Sequence, residues 1–128
     1  MGYMIGRGEI AARILLKKIF PRSNIRIQVP VQILFSDDLK KSLSDRQKKE
    51  TVDIVVYRET KCPLVVRVQD KRHNSSYMCK VDEAQRFYLE RSGCDVVDLP
   101  EIECPRLFKE KVDDISMNEI LKYINDYV

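Results

Sequence analysis

Apolar residues recur along this chain at two different spacings, and each spacing predicts a different element. In Glu9 to Phe20 (EIAARILLKKIF), Glu9, Ala12, Arg13, Leu16 and Phe20 share one side at i, i+3 and i+4, the period of a helix face. The helix starts near Gly6 to Gly8 and stops at Pro21, which cannot continue it. Glu9 borders the packing face; an acid in a first turn is also favoured simply by the helix dipole. Ile25 to Phe35 (IRIQVPVQILF) alternates with period two, the mark of a half-buried strand, and Pro30 assigns it to an edge or a bulge. Ser36 to Glu50 is polar, a solvated loop with at most a short helix near Asp37 to Ser44, whose lysines could meet phosphates.

Val52 to Tyr57 and Leu64 to Asp70 are more continuously apolar, as expected of central strands covered on both faces. The link from Arg58 to Pro63 suits an antiparallel hairpin. After a polar run from Lys71 to Ser76, Lys80 to Ser92 reads as a helix with Val81, Ala84, Phe87 and Tyr88 inward and Gly93 at its C-cap position. Cys94 to Leu99 is a further strand. Ser116-Met-Asn-Glu119 has the form of a capping box, opening a terminal helix over about residues 116–127 with Ile120, Leu121, Ile124 and Val128 on one side. The order predicts a single α/β domain over residues 1–128, one mixed sheet flanked by helices.

Composition narrows the class. With 128 residues, 44% hydrophobic and 34% charged, the chain can bury a core of its own. No apolar run approaches the roughly 18–20 residues of a membrane span, and no signal-peptide pattern opens the chain; the expectation is a cytoplasmic protein with no membrane partner. Cys62, Cys79, Cys94 and Cys104 are never two or three residues apart, so paired zinc spacing is absent and they read as small apolar fillers. A net charge of +3 permits a polyanionic partner without requiring one.

Candidate chemistry gathers on the two central strands. Asp53 stands among Val52, Ile54, Val55 and Val56, where an ionised carboxylate must be paired, hydrogen-bonded or metal-bound. Alternation puts Asp53, Val55 and Tyr57 on one face of their strand, and Val65, Arg67 and Gln69 on one face of the next. Two readings follow: Asp53 and Arg67 form a partly buried ion pair, or Asp53 joins Glu9 in binding Mg²⁺, which takes one or two carboxylates with water and phosphate oxygens. His73 lies just past the second strand beside Asp70, Lys71 and Arg72, as a surface residue or as a base.

Taken together, the early Glu9, Val52-Asp53-Ile54, a second strand Val66-Arg67-Val68-Gln69 with His73 downstream, Asp82 with Gln85 or Arg86 on the next helix, Gly93 and the strand Cys94 to Leu99 resemble the PD-(D/E)xK, or restriction-endonuclease-like, nuclease superfamily. The branch they resemble is that of very-short-patch-repair endonucleases. The resemblance covers about residues 7–108. It implies a three-layer α/β/α core around a central mixed sheet, and Mg²⁺- or Mn²⁺-dependent hydrolysis of phosphodiester bonds. On the matching positions, Glu9 and Asp53 would be metal ligands, Asp70 a migrated acid, His73 a base or phosphate contact, and Gln69 would position water. Arg67 departs from the pattern, replacing the strand acid; Gln69 replaces Lys or Asp; the last strand ends Val97-Asp98-Leu99 without its Arg. The binding alternative keeps the fold without catalysis, with Arg67 neutralising Asp53 and Lys71, Arg72, Lys80 and Arg86 on the phosphate backbone. The implied partner is nucleic acid, DNA first, with a homodimer compatible with cutting both strands. A protein-interaction domain with solvated charges is the third reading.

Overall fold

The computed structural model describes residues 6–70 and 76–128, with the side chains of residues 76–79 outside the description. The chain runs α1 (Glu9–Ile19), β1 (Asn24–Pro30), α2 (Val31–Leu34), α3 (Asp37–Lys40), α4 (Asp45–Lys48), β2 (Thr51–Tyr57), β3 (Leu64–Gln69), α5 (Ser76–Arg91), β4 (Asp95–Pro100), α6 (Pro105–Phe108) and α7 (Asp114–Ile124), followed by a 3₁₀ turn (Asn125–Tyr127). The strands form one sheet in the order β1-β2-β3-β4. β1/β2 and β2/β3 are antiparallel and β3/β4 is parallel, so the α/β class and the mixed sheet are as expected.

Both faces of the sheet are covered, each by its own apolar cluster. Ala12 and Leu16 of α1, Phe20 just after it, Leu107 and Phe108 of α6, and Ile120 and Ile124 of α7 pack on Ile54, Val56, Leu64, Val66, Val97 and Leu99. Across the sheet, Val31 of α2, Phe35, Leu43 and Leu89 of α5 pack on Val52, Val55, Val65 and Val96. Burial on both faces explains why β2 and β3 lack a polar alternation. No helix among the described residues is long and apolar enough to cross a membrane.

Several local readings change. The first strand ends at Pro30, and Val31–Leu34 turn into helix; so short a run, with three apolar residues about Gln32, satisfies a single helical turn as readily as a strand. β1 is an edge strand, as Pro30 requires. The segment before β2 holds two one-turn helices, the second opened by a capping box between Ser44 and Gln47. The last helix is opened by Asp113, not Ser116. Asp113 accepts from the Ser116 amide and Ser116 Oγ accepts from the Asp113 amide, while Glu119 accepts from the amides of Arg106 and Leu107 at the start of α6. Phe87 and Val128, read as inward, are 54% and 58% exposed. Among the cysteines, Cys94 and Cys104 are buried fillers but Cys62 is exposed.

Two of the described glycines adopt a left-handed conformation. Gly8, at the N-cap of α1, has φ 86°, and a Cβ there would stand 3.3 Å from Val68 Cγ1 and 3.4 Å from the Leu107 carbonyl oxygen. Gly93, just past α5, has φ 91°, the usual glycine stop of a helix.

Candidate functional site

The β2–β3 ladder gives way at Asp53. Its register runs Val56↔Leu64, Val55↔Val65, Ile54↔Val66. At the next step Asp53 Oδ2 accepts a hydrogen bond from the Val68 amide at 2.8 Å. A side-chain carboxylate thus takes the place of a ladder carbonyl. The alternation of both neighbouring strands slips at the same level: Val52 packs with Val55, and Ile54 with Val56. On β1, Ile27 faces Ile54 and Val29 faces Val52, with Gln28 between them at φ 50°.

Gln28 links this break to α1. Its Nε2 donates to Glu9 Oε1 at 2.6 Å, and its Oε1 accepts from Thr51 Oγ1 at 3.0 Å. Glu9 Oε2 accepts from the Gly6 amide at 2.6 Å. Only 4% of Glu9 is exposed. Burial pushes its carboxyl above the ordinary range, the charge of Asp53 pushes it further, and the Gln28 and Gly6 donors oppose them; Glu110 adds a smaller repulsion. Glu110 approaches because its carboxylate caps α1, accepting from the amides of Gly8 and Ala11.

Arg67 faces the other way, toward α5 and β4. Its Nε and Nη2 donate to the two oxygens of Asp98 at 2.7 and 2.9 Å, and its Nη1 donates to the Asp82 carbonyl at 2.8 Å and to Gln85 Oε1 at 3.3 Å. Arg86 completes the group, donating to Asp98 Oδ2 at 2.9 Å and to the Val96 carbonyl at 3.1 Å. Asp98 itself is pushed up by burial, but the hydrogen bonds and charges of Arg67 and then Arg86 outweigh that and hold its carboxyl below the ordinary range. This corrects the expectation for Arg67: its salt bridge is with Asp98. At 4% exposure its guanidinium is also not available as a phosphate contact, because all of its edges are turned to β4 and α5.

A small pocket of about 100 Å³ lies where the two arrangements meet, lined by Thr51, Val52, Asp53, Arg67, Gln69, Asp82 and Gln85. Gln69 Nε2 donates to Asp82 Oδ2 at 3.2 Å. The fold thus brings Asp53 and Gln69 to one pocket, and Gln28 ties Glu9 to Thr51 at the start of the strand that carries Asp53. Asp70 sits half-buried one residue beyond β3. Lys80 is exposed and lines a separate groove with Arg46 and Glu50, and Arg86 is engaged by Asp98. Lys71, Arg72 and His73 lie outside the described residues. Gln28, Thr51, Asp98 and Glu110 were not singled out by the sequence; only the placement of Gln28 in an alternating strand hinted at a polar position facing a neighbour.

Among the described residues, no three His, Cys, Asp or Glu side chains are grouped so as to hold a metal ion. Compared with protein-family models, with curated proteins and with solved structures, the chain has no match in any of the three.

Proposed function

We propose that this domain is a nucleic-acid-processing protein with a restriction-endonuclease-like three-layer core, built as a Mg²⁺- or Mn²⁺-dependent phosphodiester nuclease whose activity is weakened by Arg67. The observation that carries the reading is the buried Glu9 carboxylate, tied through Gln28 to Thr51, two residues before Asp53 on β2. A buried carboxylate, raised in pKa by burial first and by the charge of Asp53 second, fits a divalent cation that is held by one or two carboxylates with water and phosphate oxygens making up the rest. Glu9 and Asp53 would hold that cation.

The other residues of the site have supporting roles. When bound, the cation supplies a lowered pKa for an attacking water and a counter-charge for the phosphate. Gln28 fixes the Glu9 carboxylate and the Val68 amide fixes Asp53. Gln69, held by Asp82, presents an amide that can orient water or a phosphate oxygen. Arg67 removes the third acid from this set, which is the reason for expecting slow turnover.

That substitution favours a second reading, a nucleic-acid-binding module on the same fold without catalysis. The two are separated by incubating plasmid DNA and RNA with the protein in Mg²⁺ or Mn²⁺. Metal-dependent nicking that disappears in Asp53→Asn supports the nuclease. Binding without cleavage in either metal leaves the module; absence of both binding and cleavage removes both readings.

A further inference from the structure

We propose that the outer edge of β1 is a track for the phosphodiester backbone of a nucleic acid, contacted by Arg13 and Arg26 and leading to the Glu9–Asp53 site; this rests on the function proposed above. A hollow of about 370 Å³ lies between α1 and the edge strand, lined by Arg13, Asn24, Ile25, Arg26 and Ile27. A second hollow of about 460 Å³ shares Asn24, Arg26 and Ile27 and extends along the same strand to Gln28. Gln28 is the side chain that donates to Glu9. Arg13 follows Glu9 by four residues on α1, one turn or about 6 Å of helix rise. The hollows therefore flank the strand that carries Gln28, the residue bonded to Glu9.

Charge points to the occupant. Arg7, Arg58, Arg67, Arg86 and Arg106 each have a carboxylate partner. Arg13 and Arg26 are exposed and, among the described residues, neither guanidinium makes a hydrogen bond or an ion pair. Two unneutralised guanidiniums along one groove suit successive phosphates, which arginine can bind through paired donors. A peptide adding itself to the sheet fits poorly. Pro30 lacks an amide donor, and the positive φ of Gln28 interrupts the edge, both devices that block strand addition.

The test is fluorescence anisotropy with labelled single-stranded and duplex DNA over a range of salt, using wild type, Arg13→Gln/Arg26→Gln and Asp53→Asn. Both arginines are exposed, so the double variant should keep its melting temperature. It should bind at least about tenfold more weakly at low salt, with the slope of log K against log salt shallower by roughly 2, while Asp53→Asn keeps the wild-type slope. A double variant with wild-type affinity and slope overturns the track and leaves the proposed function standing, since wild type still binds. Preferential binding of polyglutamate over DNA overturns it in favour of an acidic peptide. A wild type that neither binds nor cleaves nucleic acid overturns both.

Discussion

Arg67 stands directly opposite Asp98 on the parallel β3–β4 pair, and its guanidinium takes both oxygens of that carboxylate. The side chains are 5% and 25% exposed, so removing one partner leaves a charge largely cut off from water. Asp98→Ala strands two arginines, whereas Arg67→Met leaves the aspartate with Arg86 alone; the first should lower stability by about 3 kcal/mol, the low end for breaking a buried pair, and the second by less. Arg67→Met/Asp98→Leu should recover part of the loss, because an apolar pair of similar volume avoids the uncompensated charge. Urea denaturation of the four proteins checks this. Additive losses in the double variant would mean that the pair is not coupled.

The same pair fixes the acid limb of the stability curve. The folded-state pKa of Asp98 is lowered from 3.8, so its stabilisation is present above 3.8 and is lost as pH falls through the lower folded value. Glu9 has the opposite sign: its folded pKa is raised from 4.5, so its contribution is favourable below 4.5 and is lost as pH rises through the folded value. The stability difference between wild type and Asp98→Asn should therefore shrink below about pH 4. Thermal melts across the acid range measure it; a difference that does not change with pH would contradict the charge argument.

The central strands were legible because apolar residues fill most of their positions and both sheet faces are buried. Gly93 was legible because a helix stop of that kind needs positive φ. The partner of Arg67 was not. Asp98 is 31 residues away, across a crossover through α5, and parallel register leaves no local trace comparable to a hairpin turn. Asp53 was legible as a buried acid needing a partner, yet alternation assigned it a face, while the strand slips there and turns its carboxylate to the Val68 amide. Phe87 was misplaced because helical spacing alone cannot tell an inward aromatic from one that stays at the surface and stacks under Arg91.

Glu110 caps α1 from 99 residues away in sequence, through Ala11 at 3.0 Å and through Gly8. Loss of an N-cap costs about 1 kcal/mol, and Glu110→Ala should show roughly that in denaturant. Gly8→Ala should cost more, about 1–2 kcal/mol, since φ 86° is strained for alanine and the new methyl would crowd Val68 and the Leu107 carbonyl. Both changes sit beside Glu9, so a circular-dichroism melt should show the cap loss before any effect on the site is assigned. Equal stability of Gly8→Ala and wild type would mean that the turn relaxes to negative φ.

The carboxylate pair makes a prediction that does not depend on turnover. With Glu9 and Asp53 repelling each other, a cation bound between them relieves a cost already present in the folded state and absent from the unfolded chain. Binding to the folded state alone stabilises by about 1.4 kcal/mol at ten times Kd, which for a domain of this size raises the melting temperature by roughly 4–6 °C. Mg²⁺ or Mn²⁺ should produce that shift in wild type, and matched ionic strength in NaCl should not. Glu9→Gln and Asp53→Asn should each abolish the shift. Each should also lose the electrostatic penalty, so their metal-free melting temperatures need not fall as far as loss of the Gln28 and Val68 hydrogen bonds alone would require. Lys80→Gln, distant from the pair, should keep the shift. A rise in melting temperature that survives in both acid variants would place the cation elsewhere and remove the basis for a metal site at the β2–β3 break.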